Sequence, residues 1–369
     1  MTGGGTIEVV ADLSEPTVER RGFLVGSLLA AAALVHPTAP PLRFVTARAG
    51  STRIGMADAE AITSTAEHYR RLGNRLGGGM IREQVVRFVH GEATRALHGD
   101  YTQDTGRALF SAVAQATRLA GSMAAEVGRH ALAQRYYVQA FNLAMHADDR
   151  RYAAEVLTHA SRLAVQNSQA AMDERDAHHN ARHAVGLVRA AREVGAGATP
   201  VLTTQLHAVE ARGLALLGDR AATTAAVDAA LRAFDRTDPA REPAWLGYYS
   251  RTELYGELGQ GLRDVGCPNR AVGMIEQALA GTDPWRTRSR AFAQTDLAMA
   301  YLAQGELEAA VSAAGTAVDI AEPVASQRIF DRLAVLRRRL PRHPRVAELD
   351  RRIGGLGTPV KTRWETSVR

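Results

Sequence analysis

Three histidines, His178, His179 and His183, form the one local cluster of metal-ligand type in this chain. His179 and His183 stand four residues apart, a spacing that brings two imidazoles to one helical face, as zinc ligands require. The HHNARH stretch lacks the glutamate of a metalloprotease helix, however, and no third ligand is assignable. Gln169 to His179 also reads as an irregular, lengthened turn, so an exposed polar loop accounts for the cluster and no metal is expected. Arg337, Arg338 and Arg339, with Arg342 and Arg345 nearby, make the densest basic run. Such a run suits salt-sensitive phosphate contact. Glu348 and Asp350 follow it and no aromatic platform interleaves, which makes a solvated helix the simpler account. Gly77 to Gly79 are not followed by the lysine of a phosphate loop and no strand precedes them, so they mark a helix–helix turn. No nucleophile, base and orienting group fall into a recognisable motif, and GxSxG is absent. Neither catalytic residues nor a cofactor are expected. The single Cys267, beside Pro268, excludes an internal disulfide and reads as structural.

What remains is a set of polar side chains whose placement depends on the helices that carry them. Trp285 to Ala321 reads as two helices joined by a tight turn at Gly305. Leu297, Ala298 and Tyr301 lie on one face of the first helix, and Ala310, Ala314 and Ala317 lie on the facing side of the second. Taking the turn glycine as origin, the figure has a small residue at −7, a residue that is usually Ala at +5, an apolar one at +9 and a small one at +12. Gly128 repeats it with Gly121, Ala133, Tyr137 and Ala140; Gly266 repeats it with Gly259, Ala271, Ile275 and Ala278. Gly218 repeats it with Ala211, Thr223, Val227 and Ala230, and a damaged copy keeps Ala184, Val188 and Ala191 but has His179 at the origin. Helical hairpins recurring roughly every 40 to 50 residues define an all-α fold of solenoid type, in which no unit buries its apolar stripe without its neighbours. Strands, or these glycines inside helices, would overturn that expectation.

In such a stack the first helix of each pair lines the inner, concave surface. Positions −2, −3, −6 and −10 from each turn glycine then face a groove. They supply Arg118, Ser122 and Glu126 in one unit, Ala208 and Arg212 in the next, then Gln260, Arg263 and Asp264. Arginines there suit bidentate pairing with peptide carboxylates; exposed arginines are also common on any surface, and the sequence does not separate the two readings.

AYLAQGELEAAVSAAGTAV, from Ala300 to Val318, resembles the tetratricopeptide repeat. More widely, IGMADAEAI, RALFSAVAQATRLAGSMAAEVGRHALAQRYYVQAFNLA, DPAREPAWLGYY and RSRAFAQTDLAMAYLAQGELEAA resemble the carboxy-terminal helical region of helix-turn-helix transcriptional regulators of high-GC bacteria. The resemblance implies an α-solenoid of tetratricopeptide-like hairpins and a non-enzymatic regulatory or adaptor role. It names no ligand. The helix-turn-helix domain of that family does not fit in residues 1–18, so direct sequence-specific DNA binding is not expected.

The expected organisation is residues 1–53 as a disordered start with a Pro-rich linker, 54–353 as the solenoid and 354–369 as a tail. Within the solenoid, helices are expected over 58–98 with Asp58 as the first cap, then five pairs over 103–321 and capping helices over 327–353. The five pairs are 103–125 with 129–147, 151–166 with 180–194, 200–217 with 220–235, 244–264 with 268–281, and 288–303 with 307–321. Arg20, Arg21, Phe23 and Leu24, followed by an apolar run to Val35, resemble a twin-arginine export signal. That run is too short to span a bilayer, so no stable membrane span is expected. In the resembling regulators a similar stretch is internal, which favours cytoplasmic residence over export. A net charge of +6 permits an acidic partner; Lys361 is the only lysine, which reflects codon bias before chemistry. The expected partner is a peptide or protein ligand, and a homodimer stays open.

Overall fold

The computed structural model describes residues 53–324 and 326–356. Arg20, Arg21, Phe23 and Leu24, the expected linker and the chain beyond residue 356 lie outside the described residues. Among the described residues the fold is all-α, with fourteen helices and no strand. They are α1 (Met56–Leu76), α2 (Gly78–Phe88), α3 (Gln103–Glu126), α4 (His130–His146), α5 (Arg150–Ala170), α6 (Glu174–Val194) and α7 (Pro200–Leu216). After them come α8 (Arg220–Phe234), α9 (Arg251–Asp264), α10 (Pro268–Ala280), α11 (Thr287–Gln304), α12 (Leu307–Ala321), α13 (Gln327–Arg339) and α14 (Pro344–Gly355). The most extensive packing is between α3 and α4, α5 and α6, α7 and α8, α9 and α10, and α11 and α12.

The turn glycines lie between paired helices, as the spacing requires. Gly305 closes α11 in the left-handed region at φ 84°, where a side chain would crowd the backbone. The figure counted from those glycines is buried throughout: Ala133, Thr223, Ala271 and Ala310 at +5 have no exposure, nor do Val227, Ile275 and Ala314 at +9. The −7 and +9 positions touch, and their volumes compensate. A methyl added to Gly121 would lie 2.7 Å from Tyr137 Cε1, and one added to Gly259 would lie 2.5 Å from Ile275 Cγ1. The two hairpins with a large +9 residue therefore use glycine at −7. Ala211 and Ala298 occupy −7 where +9 is Val227 or Ala314.

Several boundaries differ from expectation. Asp58 is not the cap of α1: Gly55 is, and its N–H donates to Asp58 Oδ2 at 2.7 Å. Of the three glycines at 77–79, only Gly77 interrupts the helices; Gly78 and Gly79 begin α2. Below Phe88 the chain continues through a π-helical turn, Val89–Ala93. The expected irregular stretch at Gln169–His179 is largely helical, because α5 runs to Ala170 and the Asp173 side chain caps α6 by accepting from the Asp176 N–H at 2.8 Å. Residues 244–250 are not the start of α9. Pro239–Arg241 and Ala244–Leu246 form two short 3₁₀ turns, and the aromatics that follow are set outside any long helix.

The array does not stay open at its ends. Both α1 and α13 pack against α3 and α11, so the first and last units of the described chain meet around a common interior. Arg288 on α11 donates to Asn74 Oδ1 on α1 at 2.6 Å, and Ser326, capping α13, donates to Glu126 Oε2 on α3 at 2.6 Å.

Candidate functional site

The interior left by this closure is a cavity of about 240 Å³. Much of its wall comes from residues at i, i+4 spacing on four helices. Arg118, Ser122 and Glu126 come from α3, Arg162 and Gln166 from α5, Gly256 and Gln260 from α9, and Arg328 and Arg332 from α13. A wider space of about 710 Å³ adjoins it, sharing Arg70, Arg118, Tyr248 and Arg286, with Trp245 and Trp285 on its outer side.

Eight arginines and four carboxylates line the inner cavity. Glu126 is buried and pairs with both Arg288 (3.0 Å) and Arg328 (3.3 Å). Glu257 accepts from Arg162 Nε at 2.6 Å and lies 3.6 Å from Arg212. Burial opposes ionisation of Glu257, but Arg162 overrides it and holds the carboxyl at about 2. Asp296 joins Arg332 (2.8 Å from Nε) to Arg263 (2.7 Å), and Arg263 also pairs with Asp264 at 2.6 Å. Arg286 is paired with Glu253, and Arg70 with Glu67.

Arg118 makes no ion pair among the described residues. Its Nε donates to the Tyr152 hydroxyl at 2.9 Å and one terminal nitrogen donates to His159 Nε2 at 3.1 Å. That ring is kept neutral, first by burial and then by Arg118 itself, which together bring it to about 4. Tyr248 completes the group, donating to Glu155 Oε1 at 2.6 Å.

Arg212 is the least satisfied member. It is only 4% exposed, and its Nε has no partner within the protein. Burial, and then the positive charge of Arg332 and Arg328, lower it to about 10 against the pull of Glu257. Gln260 Oε1, Arg288 Nε and Asp296 Oδ2, also in the cavity wall, are likewise buried without a protein partner.

Of the eight residues singled out by counting from the glycines, Arg118, Ser122, Glu126, Arg212 and Gln260 line the cavity together, whereas Ala208 is fully buried in the core. Arg263 and Asp264 sit just behind it, in the ion-pair group with Asp296. Sequence reasoning missed Arg162 and Gln166, because the damaged copy was centred on His179. Centred on Met172, in the turn that actually ends α5, the same −10 and −6 offsets land on them. It also missed Tyr248 and Tyr249, although three aromatics in Trp245–Tyr249 stand out in a chain with only 5% aromatics.

The histidine cluster lies elsewhere, on α6. His179 is exposed; His183 is buried and lowered to about 4, chiefly by that burial. No three His, Cys, Asp or Glu side chains gather for a metal among the described residues. Two members of the basic run are engaged: Arg337 pairs with Asp350 at 2.7 Å, and Arg345 with Glu308, which ties α14 to α13 and α12. No described helix is long and apolar enough to cross a membrane. No protein-family model matches the chain, and no curated protein matches it.

Proposed function

We propose that this protein is a non-enzymatic regulator or adaptor, built as a solenoid of tetratricopeptide-like hairpins, that takes a peptide or protein segment into its interior. The fold half of this reading is supported by the repeated glycine template and its volume compensation. The functional half is supported by one observation above all: polar side chains from both ends and the middle of the chain converge on a cavity holding buried polar atoms without protein partners. Buried groups of this kind carry a free-energy cost unless something meets them, and a ligand does so. The adjoining outer space, flanked by Trp245 and Trp285, offers aromatic faces to the rest of an extended segment. The proposed setting is transcriptional or developmental regulation through a partner rather than through direct sequence-specific DNA contact.

Acid release of material bound to the protein purified from its own cells, followed by mass spectrometry, tests the reading. Peptides recovered from wild type, and absent after competition for the cavity, are expected. A protein that is consistently bare, with no peptide retained at micromolar concentration, refutes it. The proposed compartment is the cytoplasm. The RRGFL stretch favours export by the twin-arginine route instead, and fractionation with the mass of the mature amino terminus decides between cytoplasm and export: a full-length chain retained in the cytosol removes the export reading.

A further inference from the structure

The charges around the cavity do not balance, and the imbalance identifies the ligand. Arg286 has its own carboxylate, Glu253, and Arg70 is paired with Glu67, which it shares only with Arg71, an exposed residue outside the inner cavity. Glu155, close enough to Arg118 to stabilise its charge directly, matches that residue, and Arg332 with Arg263 is matched by Asp296 with Asp264. Two sites remain in which one carboxylate of the cavity wall serves two guanidiniums that both line the cavity: Glu126 between Arg288 and Arg328, and Glu257 between Arg162 and Arg212. Each leaves one positive charge unmatched beside deeply buried groups, Glu126 at 2% and Arg212 at 4% exposure, where water screens it poorly.

We infer that the cavity binds a dianionic group, two carboxylates or one doubly charged phosphate, whose oxygens take up the surplus guanidiniums at Glu126 and Glu257. This rests on the reading of the interior as a ligand site and adds the chemistry of what enters it. Arginine suits the task because its planar fork meets carboxylate and phosphate oxygens in pairs. Arg212 supports the assignment most directly, being nine-tenths buried, unpartnered at Nε and crowded by like charge. The same chemistry has two sources, an acidic peptide segment or a small free anion, and both are tested.

Thermal unfolding and isothermal titration of the full chain would be run with inorganic phosphate, pyrophosphate, succinate and acetate, at ionic strength matched with chloride. A pool of degenerate heptapeptides carrying two adjacent glutamates, and the same pool with glutamines, would be tested alongside. The dianions or the glutamate pool are expected to raise the unfolding midpoint by several degrees at about a hundredfold excess over Kd, with acetate and the glutamine pool inert. Arg212→Met separates binding from structure. Arg162 still satisfies Glu257, so the variant is expected to unfold at the same midpoint as wild type or higher, while dianion affinity falls at least tenfold. A merely structural Arg212 would lower the midpoint and leave the ligand response intact. Response to small dianions but to no peptide keeps the inference and removes the peptide reading. Peptide binding indifferent to glutamate or glutamine removes the inference and keeps that reading. No response beyond chloride overturns the inference.

Discussion

Glu257 stands between two arginines, and neither Arg162 nor Arg212 has another carboxylate within 4 Å among the described residues. Glu257→Gln therefore leaves two guanidiniums without a counter-charge, and breaking a buried pair in this way costs about 3–5 kcal/mol. Urea unfolding should show that loss, whereas Glu348→Gln, which removes an exposed pair with Arg351, should stay within about 0.5 kcal/mol of wild type. The histidines set a second expectation. His159 and His183 are each lowered to about 4 from an ordinary 6.5, so both bind fewer protons folded than unfolded between those values. Their contribution is intact above about pH 6.5 and withdrawn as pH falls toward 4, by up to about 3 kcal/mol each at 1.36 kcal/mol per unit. Urea midpoints measured at pH 7, 5.5 and 4.5 should fall steadily. The fall should be shallower in a His159→Gln, His183→Leu double variant.

At the level of the helical pair, the contact between −7 and +9 behaves as a lock with two interchangeable keys. Gly259→Ala drives a methyl against Ile275 and should cost about 1–3 kcal/mol. Ile275→Ala alone should cost about 2–5 kcal/mol through the void it leaves. Together they reproduce the pairing of Ala298 with Ala314, and the double variant should lose less than the sum of the singles by about 1 kcal/mol in a denaturant cycle. This layer of the structure was legible because it is local: a turn glycine and residues within twelve positions of it determine the hairpin. Legibility failed where the local signal was altered. The turn after α5 has no glycine, so the origin was misplaced and Arg162 went unnoticed. The aromatics at Trp245–Tyr249 fall within the expected helix 244–264, and nothing near them in sequence indicates that Tyr248 reaches Glu155 on α5.

For the whole molecule, the decisive contacts join residues about 200 positions apart, such as Ser326 with Glu126 and Arg288 with Asn74. No periodicity encodes them, which is why an open concave groove was expected and an interior closed by α1 and α13 was found. Glu126→Gln weakens the hold on Arg328 and Arg288 at once. Amide hydrogen exchange should accelerate in α13 by about tenfold or more, with α7 and α8 unchanged, since elements with few contacts open first. Uniform acceleration throughout would show instead that the closure is part of one global unit. The position of Arg328 carries a further implication. One guanidinium both fastens the last wall of the chamber and faces its interior, so an occupant competes with Glu126 for it, and whatever factor the guest imposes on the docking of α13, α13 must return on the guest's residence. Anything that tugs on that helix thus doubles as a dial on occupancy, without ever touching the contents.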